Sequence, residues 1–138
     1  MGAFESSRAS LRVFGDDLIP DEISAALGAA PTKSEIRGEV LRSINGRERV
    51  AKCGSWRLHA AEAKPEDTNA QVRELLAKLS SDLNIWRDIA KRFEVDLFCG
   101  WFMSGSNDGV ELAPETLLAL GERGIALSLD IYAPDEDE

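Results

Sequence analysis

The chain has 138 residues, 43% of them apolar and 30% charged, with a formal net charge of -9. A chain of this length buries roughly 70% of its unfolded surface, so residues 1–138 are expected to form one domain, with an ordered core over about 8–133 and an acidic tail over 134–138. The apolar fraction excludes wholesale disorder, and the negative balance argues against general binding of nucleic acid or an anionic membrane, which needs clustered Lys and Arg.

Arg8 to Phe14 alternates, with Leu11 and Val13 on one side and Arg12 and Phe14 on the other, which predicts a half-buried strand ending at Gly15-Asp16-Asp17. Pro20, Asp21 and Glu22 suit the first turn of a helix over 20–27, and Gly28 stops it. Between Pro31 and Gly54 the pattern is weakest. Asn45-Gly46 nevertheless marks a tight hairpin, with one strand through Val40 to Ile44 and another after the turn. Trp56, Leu58 and Ala60 alternate with Arg57 and His59, as a further strand would.

Thr68 and Gln71 have capping-box spacing, and a single long helix is expected to follow. Val72, Leu75, Leu76, Leu79, Leu83, Trp86, Ile89, Ala90 and Phe93 draw one apolar stripe along it. Val95 to Met103 returns to period two and is apolar on both sides, as a central strand would be. After the loop 104–109, Val110 to Leu112 is expected to pair back. Pro114 opens a helix with Leu117, Leu118 and Leu120 inward, Gly124 ends it, and Ile125 to Tyr132 alternates as the last strand. The order predicts an α+β fold: a largely antiparallel sheet with helices on one face, containing a ferredoxin-like split β-α-β element plus an extra helix and strand.

The longest apolar run, Val95 to Met103, is about half of the roughly 20 residues of a spanning helix, so no membrane segment is expected. The first residues lack a basic, then apolar, secretion signal; Gly2 and Ser6 fit only a short myristoylation pattern that chance readily supplies. Cys53 and Cys99 are too far apart for a redox pair and read as reduced cytosolic thiols. With His59 as the only histidine, a histidine-based metal site or catalytic triad is hard to build, and no phosphate-loop or zinc spacing occurs. No catalytic residue, metal or cofactor is assigned. Asp16 and Asp17 could join Asp108 or Asp130 around a hard cation, but the favoured reading has them holding the start of the first helix.

The segments Leu11 to Asp17, Pro20-Asp21-Glu22-Ile23, Leu27-Gly28 with Pro31-Thr32, Asp96 to Gly100 and Leu129 to Tyr132 together resemble a bacterial family labelled domain of unknown function 4279. The likeness runs from about Leu11 to Tyr132. It implies a bacterial, stand-alone, cytoplasmic protein and hands over no catalytic residue.

Alternation across separate strands sends Leu11, Val13, Trp56, Leu58, Leu97, Cys99, Trp101, Leu127, Leu129 and Ile131 to one face, which should meet the helices. The opposite face collects Arg12, Phe14, Arg57, His59, Phe98, Phe102, Asp130 and Tyr132. Aromatic bodies with charged tips on an uncovered sheet suit a ligand, a protein partner or a second copy, unless residues 34–51 close the face. The expected role is a binding or interaction module of adaptor, inhibitor or immunity type, with a protein partner or homodimer on that face. The alternative is a small-molecule or enzymatic site with an anion held by Arg12 or Arg57 and a proton moved by His59 or Asp130. Between Thr32 and Arg57 seven basic residues against three acidic ones make a local +4 and leave -13 elsewhere. Nucleic-acid binding there ranks behind both readings, because the total charge opposes it.

Overall fold

A computed structural model describes residues 2–134; Met1 and the acidic run 135–138, the bulk of the expected tail, lie outside them. Period-two alternation produces the predicted strands, and the first is longer at both ends than the pattern suggested. After the short β1 (Gly2–Ala3), β2 runs Ser6–Gly15, because Ser6 and Ser7 are buried and continue the pairing. Helix α1 spans Pro20–Leu27 and ends on Gly28 at φ 84, a left-handed turn that glycine adopts without Cβ strain. Three short strands follow: β3 (Lys33–Glu35), β4 (Val40–Arg42) and β5 (Glu48–Val50). The last two form the hairpin expected around Asn45-Gly46, with Gly46 at φ 83. Then come β6 (Gly54–His59), α2 (Thr68–Ala77), α3 (Leu83–Arg92), β7 (Glu94–Phe102), β8 (Asp108–Gly109), α4 (Pro114–Glu122) and β9 (Ala126–Tyr132).

The main sheet has the order β3-β6-β2-β7-β9, antiparallel except for the parallel pair β7–β9. Strands β6 and β7 run parallel to each other with β2 inserted antiparallel between them, and α2 and α3 connect them: this is the split β-α-β element. The extra helix and strand are α4 and β9. The α+β architecture and the one-sided helix layer therefore stand as expected. Among the described residues no helix is long and apolar enough to cross a membrane.

Leu11, Val13, Trp56, Leu58, Leu97, Cys99 and Trp101 lie in the core under the helices. Each tryptophan satisfies its indole N–H, as buried indoles usually do. Trp56 Nε1 donates to Ser24 Oγ of α1 at 3.0 Å, Trp101 Nε1 to Thr68 Oγ1 of α2 at 2.9 Å, and Trp86 Nε1 to the Ser80 carbonyl at 2.7 Å.

Several expectations are corrected. The single long helix is two: the chain leaves the helix at 78–82, where Ser80-Ser81-Asp82 favour caps and turns over helix interiors. Asp82 then caps α3 by accepting from Asn84 N at 2.9 Å. The apolar stripe survives the break, with Val72, Leu75, Leu79, Trp86 and Ile89 all buried. The capping box also fails, because Asp67 is the cap, accepting from Ala70 N. Gln71 instead binds the sheet: it accepts from Ser7 Oγ at 2.7 Å and donates to the carbonyls of Ser7 and Ala61. Val110 to Leu112 forms no strand; the pairing falls on Asp108–Gly109, which runs parallel to β1. In α4, Thr116 and Leu120 face inward while Leu117 and Leu118 are exposed, and in β9 Leu129 and Ile131 are exposed too. The reason is shared: β9 is the sheet edge, so the helix layer has no neighbouring strand beyond it to cover.

Candidate functional site

The strand registers sort the helix-free face into rows. One row crosses the whole sheet: Lys33, Arg57, Arg12, Asp96 and Ala126 stand opposite one another in turn on β3, β6, β2, β7 and β9. The row thus holds three successive cations and one carboxylate, which only Arg12 adjoins. Arg12 closes a two-bond fork on Asp96, Nε to Oδ1 at 2.7 Å and Nη2 to Oδ2 at 2.5 Å, and Ser128 Oγ donates to the same carboxylate at 2.8 Å. This fork holds the Arg12 guanidinium above its ordinary pKa, against the opposing effect of burial. The guanidinium lies 4.5 Å from the Phe98 ring centre and 5.4 Å from that of Phe14, within cation–π range.

Arg57 has no such partner. Its Nε is buried and makes no hydrogen bond among the described residues, although Arg12 and Lys33 stand directly opposite it on either side. Like charges directly opposite across a sheet repel. Asp96 is engaged by Arg12, and Glu35 by Arg49 at 2.8 Å, and neither neighbouring carboxylate forms a hydrogen bond or close ion pair with Arg57, although the charge of Arg57 is felt by Glu35. The Glu35 carboxyl is held below its ordinary pKa chiefly by that bond to Arg49.

Strand β5 of the hairpin and the irregular segment 51–53 leading into β6 roof this end of the face. Between roof and sheet lies a cleft of about 390 Å³ lined by Arg12, Phe14, Glu35, Arg49, Lys52, Cys53, Ser55 and Arg57. Residues 34–51 therefore cover only this end of the sheet and leave a cavity beneath them. His59, in the next row with Ser10 and Phe98, has its imidazole pKa lowered, first by desolvation and then by Arg57 and Lys33.

The far end is aromatic. Phe102 and Tyr132 stack with ring centres 4.7 Å apart and planes 8° from parallel, and the Arg8 guanidinium lies 5.6 Å from the Phe102 centre. Tyr132 donates its hydroxyl to Asp130 Oδ2 at 2.5 Å, which raises its phenol pKa.

All eight residues assigned to this face are on it, in two groups. Arg12, Phe14, Arg57, His59 and Phe98 surround the cleft end, whereas Phe102, Asp130 and Tyr132 form the aromatic end. Sequence reasoning missed Arg8, Asp96 and Ser128, although alternation from Arg12, Phe98 and Asp130 would have placed them. It also missed Lys33, Glu35, Arg49 and Lys52, whose positions depend on how the hairpin folds back. The proposed role of Asp16 and Asp17 at the start of α1 is corrected: Ile19 is the cap position with no side-chain bond, and Asp16 pairs with Arg37 at 3.6 Å. Asp108 accepts from the amides of Ser104 and Gly105 in its own loop. No cluster of three metal-ligating side chains occurs among the described residues.

Neither the curated proteins nor the solved structures yield a match to this chain. A family model matches residues 5–134, nearly the whole length, and the chain belongs to the family described as Domain of unknown function (DUF4279).

Proposed function

We propose that this chain is a binding domain that takes the carboxylate or phosphate group of a small molecule into the cleft beneath the β4–β5 hairpin. The observation that supports this reading is Arg57, flanked by Arg12 and Lys33, with a buried Nε that has no acceptor among the described residues. A buried guanidinium N–H without an acceptor is costly, and a bidentate anion both satisfies it and relieves the repulsion along the row. Arg12, already oriented by Asp96, is the positioned second cation; Arg49 and Lys52 contribute from the roof. Phe14 offers an apolar wall for the body of the ligand. A bacterial, cytoplasmic setting accompanies this reading, supported by the family resemblance and by the two free thiols, Cys53 and Cys99.

His59 is the sole histidine, and it feels the charges of Arg57 and Lys33 from the next row of the face. Its titration is followed by NMR while phosphate, sulfate and a panel of carboxylate and phosphate metabolites are added. A bound anion should raise its midpoint by offsetting Arg57 and Lys33, and should raise the melting temperature. Arg57→Gln should remove both effects. If no anion in the panel moves either quantity, the reading fails.

A second reading, an interaction module of adaptor, inhibitor or immunity type, is favoured by the aromatic end, where Phe102 and the exposed Tyr132 present a flat stacked surface. Phe102→Glu should then abolish partner capture while leaving the anion response of His59 intact. Loss of the anion response with capture intact would exclude this reading.

A further inference from the structure

We propose that the chain forms a two-fold symmetric dimer by antiparallel pairing of β9 with β9 of a second copy, joining two five-stranded sheets edge to edge. Strand β9 lies at the sheet edge and contributes no residue to the anion cleft.

Strand β9 is an edge with seven residues, and its outer side has no partner among the described residues. Natural edges are usually guarded by charged side chains, especially Lys, by Pro or by a bulge. Residues 126–132, Ala-Leu-Ser-Leu-Asp-Ile-Tyr, contain no Lys or Pro and one charge, Asp130, and continue in unbroken register with β7. Leu129 and Ile131 expose 44% and 52% of their surface, and α4, the helix packed on β9, adds the exposed Leu117 and Leu118.

The backbone selects the register. The Tyr132 carbonyl accepts from Met103 N and so points inward, towards β7. Strand alternation then turns the amides and carbonyls of Leu127, Leu129 and Ile131 outward. An antiparallel partner must present outward groups to outward groups. Centring the two-fold on Leu129 meets this condition and pairs all seven residues: Leu129 with Leu129, Leu127 with Ile131, Ser128 with Asp130, and Ala126 with Tyr132. The three outward pairs then exchange about six hydrogen bonds. Leucine and isoleucine form one continuous apolar row across the junction. Asp130, the only charge on the strand, faces a serine hydroxyl. Shifting the axis to Asp130 would set that carboxylate against its own copy, which is destabilising, and shifting it to Ser128 would leave Ile131 and Tyr132 without strand partners. A second copy of this chain is therefore the occupant that the edge fits along its full length.

Light scattering and sedimentation across a dilution series test the proposal. The wild-type chain should show twice the monomer mass, falling towards the monomer on dilution. Two variants should be monomeric with an unchanged circular dichroism spectrum. Ile131→Lys puts a charge on an already exposed position; Leu129→Pro removes an outward N–H while leaving the bonds to β7 in place. The register is tested by mild oxidation of mixed Ser128→Cys and Asp130→Cys chains in a Cys53→Ser background. That non-hydrogen-bonded pair would bring Cα atoms to about 4.5 Å, inside the range of about 4.4–6.8 Å that a disulfide accepts. The mixture should crosslink and neither variant alone should. A wild-type chain that stays monomeric at its highest soluble concentration, or a dimer that persists in both edge variants, overturns the proposal; crosslinking of the single variants alone overturns the register.

Discussion

Arg12 and Asp96 stand directly opposite each other on β2 and β7 and close a two-bond fork, with three-quarters of the arginine side chain and nine-tenths of the aspartate side chain out of solvent. The same arginine faces Arg57 on its other side, so Asp96 is the group that makes a row of three cations tolerable. Truncating the arginine leaves a largely desolvated carboxylate with only the Ser128 hydroxyl. Arg12→Ala should therefore cost about 1.5–3 kcal/mol, the usual worth of a hydrogen bond to a charged group. Urea unfolding measures it, and an unchanged midpoint would show that the fork is solvent-screened.

Leu79 lies in the link between α2 and α3 yet remains in the core beside Trp86 and Leu75. Leu79→Ala should destabilise by about 2–5 kcal/mol, from lost burial plus the cavity left behind. A denaturation midpoint equal to wild type would mean that the link repacks freely.

Gly54 opens β6 against Gly15 at the end of β2, and a Cβ there would come within 2.5 Å of the Leu18 carbonyl oxygen. The obstacle is backbone, which cannot swing aside. Gly54→Ala should cost about 1–3 kcal/mol as overpacking, whereas Gly100→Ala should be far milder, because its Cβ would meet Phe102 and Tyr132 at an ordinary 3.6 Å. Thermal melts of the two variants side by side test the contrast.

Burial pushes the Cys99 thiol up to about 12, with Glu66 and Asp96 adding to the effect, while Cys53 is partly exposed and lines the cleft. Only the thiolate is nucleophilic. An alkylating reagent at neutral pH should label Cys53 in the folded chain and reach Cys99 only on unfolding, and bound anion should slow the Cys53 reaction. In the unfolded chain Cys99 ionises at its ordinary pKa, so this thiol's contribution to stability is complete below that value and is lost as pH rises towards 12. Peptide mapping after labelling checks the order; early labelling of Cys99 would mean that the β2–β7 region opens locally.

The amino-acid sequence by itself determined the long strands β2, β6, β7 and β9, their facing, and both ends of α1 and α4, because alternation and periodicity are local properties that side-chain pattern encodes directly. Leu11, Val13, Trp56 and Leu97 on one face, and Arg12, Phe98 and Tyr132 on the other, follow from counting by two. A break inside an apolar stripe is harder to read. Leu79 and Trp86 keep helical spacing across Ser80-Ser81-Asp82, so the stripe reads through a turn that these residues favour and that the bond from the Ser80 amide to the Leu27 carbonyl ties to α1. Strand order and register are contacts between residues far apart in the chain, and they decided everything that gives the site its chemistry. They set Arg57 between Arg12 and Lys33, gave Asp96 to one arginine as a hydrogen-bonded partner and no such bond to the other, and folded Arg49 and Lys52 over both. Tertiary structure alone also made β9 the edge, which turned Leu129 and Ile131, apolar and core-like by pattern, outward into solvent. Hydrophobic alternation tells a strand which face is apolar, but only the packed sheet determines whether a helix lies above it.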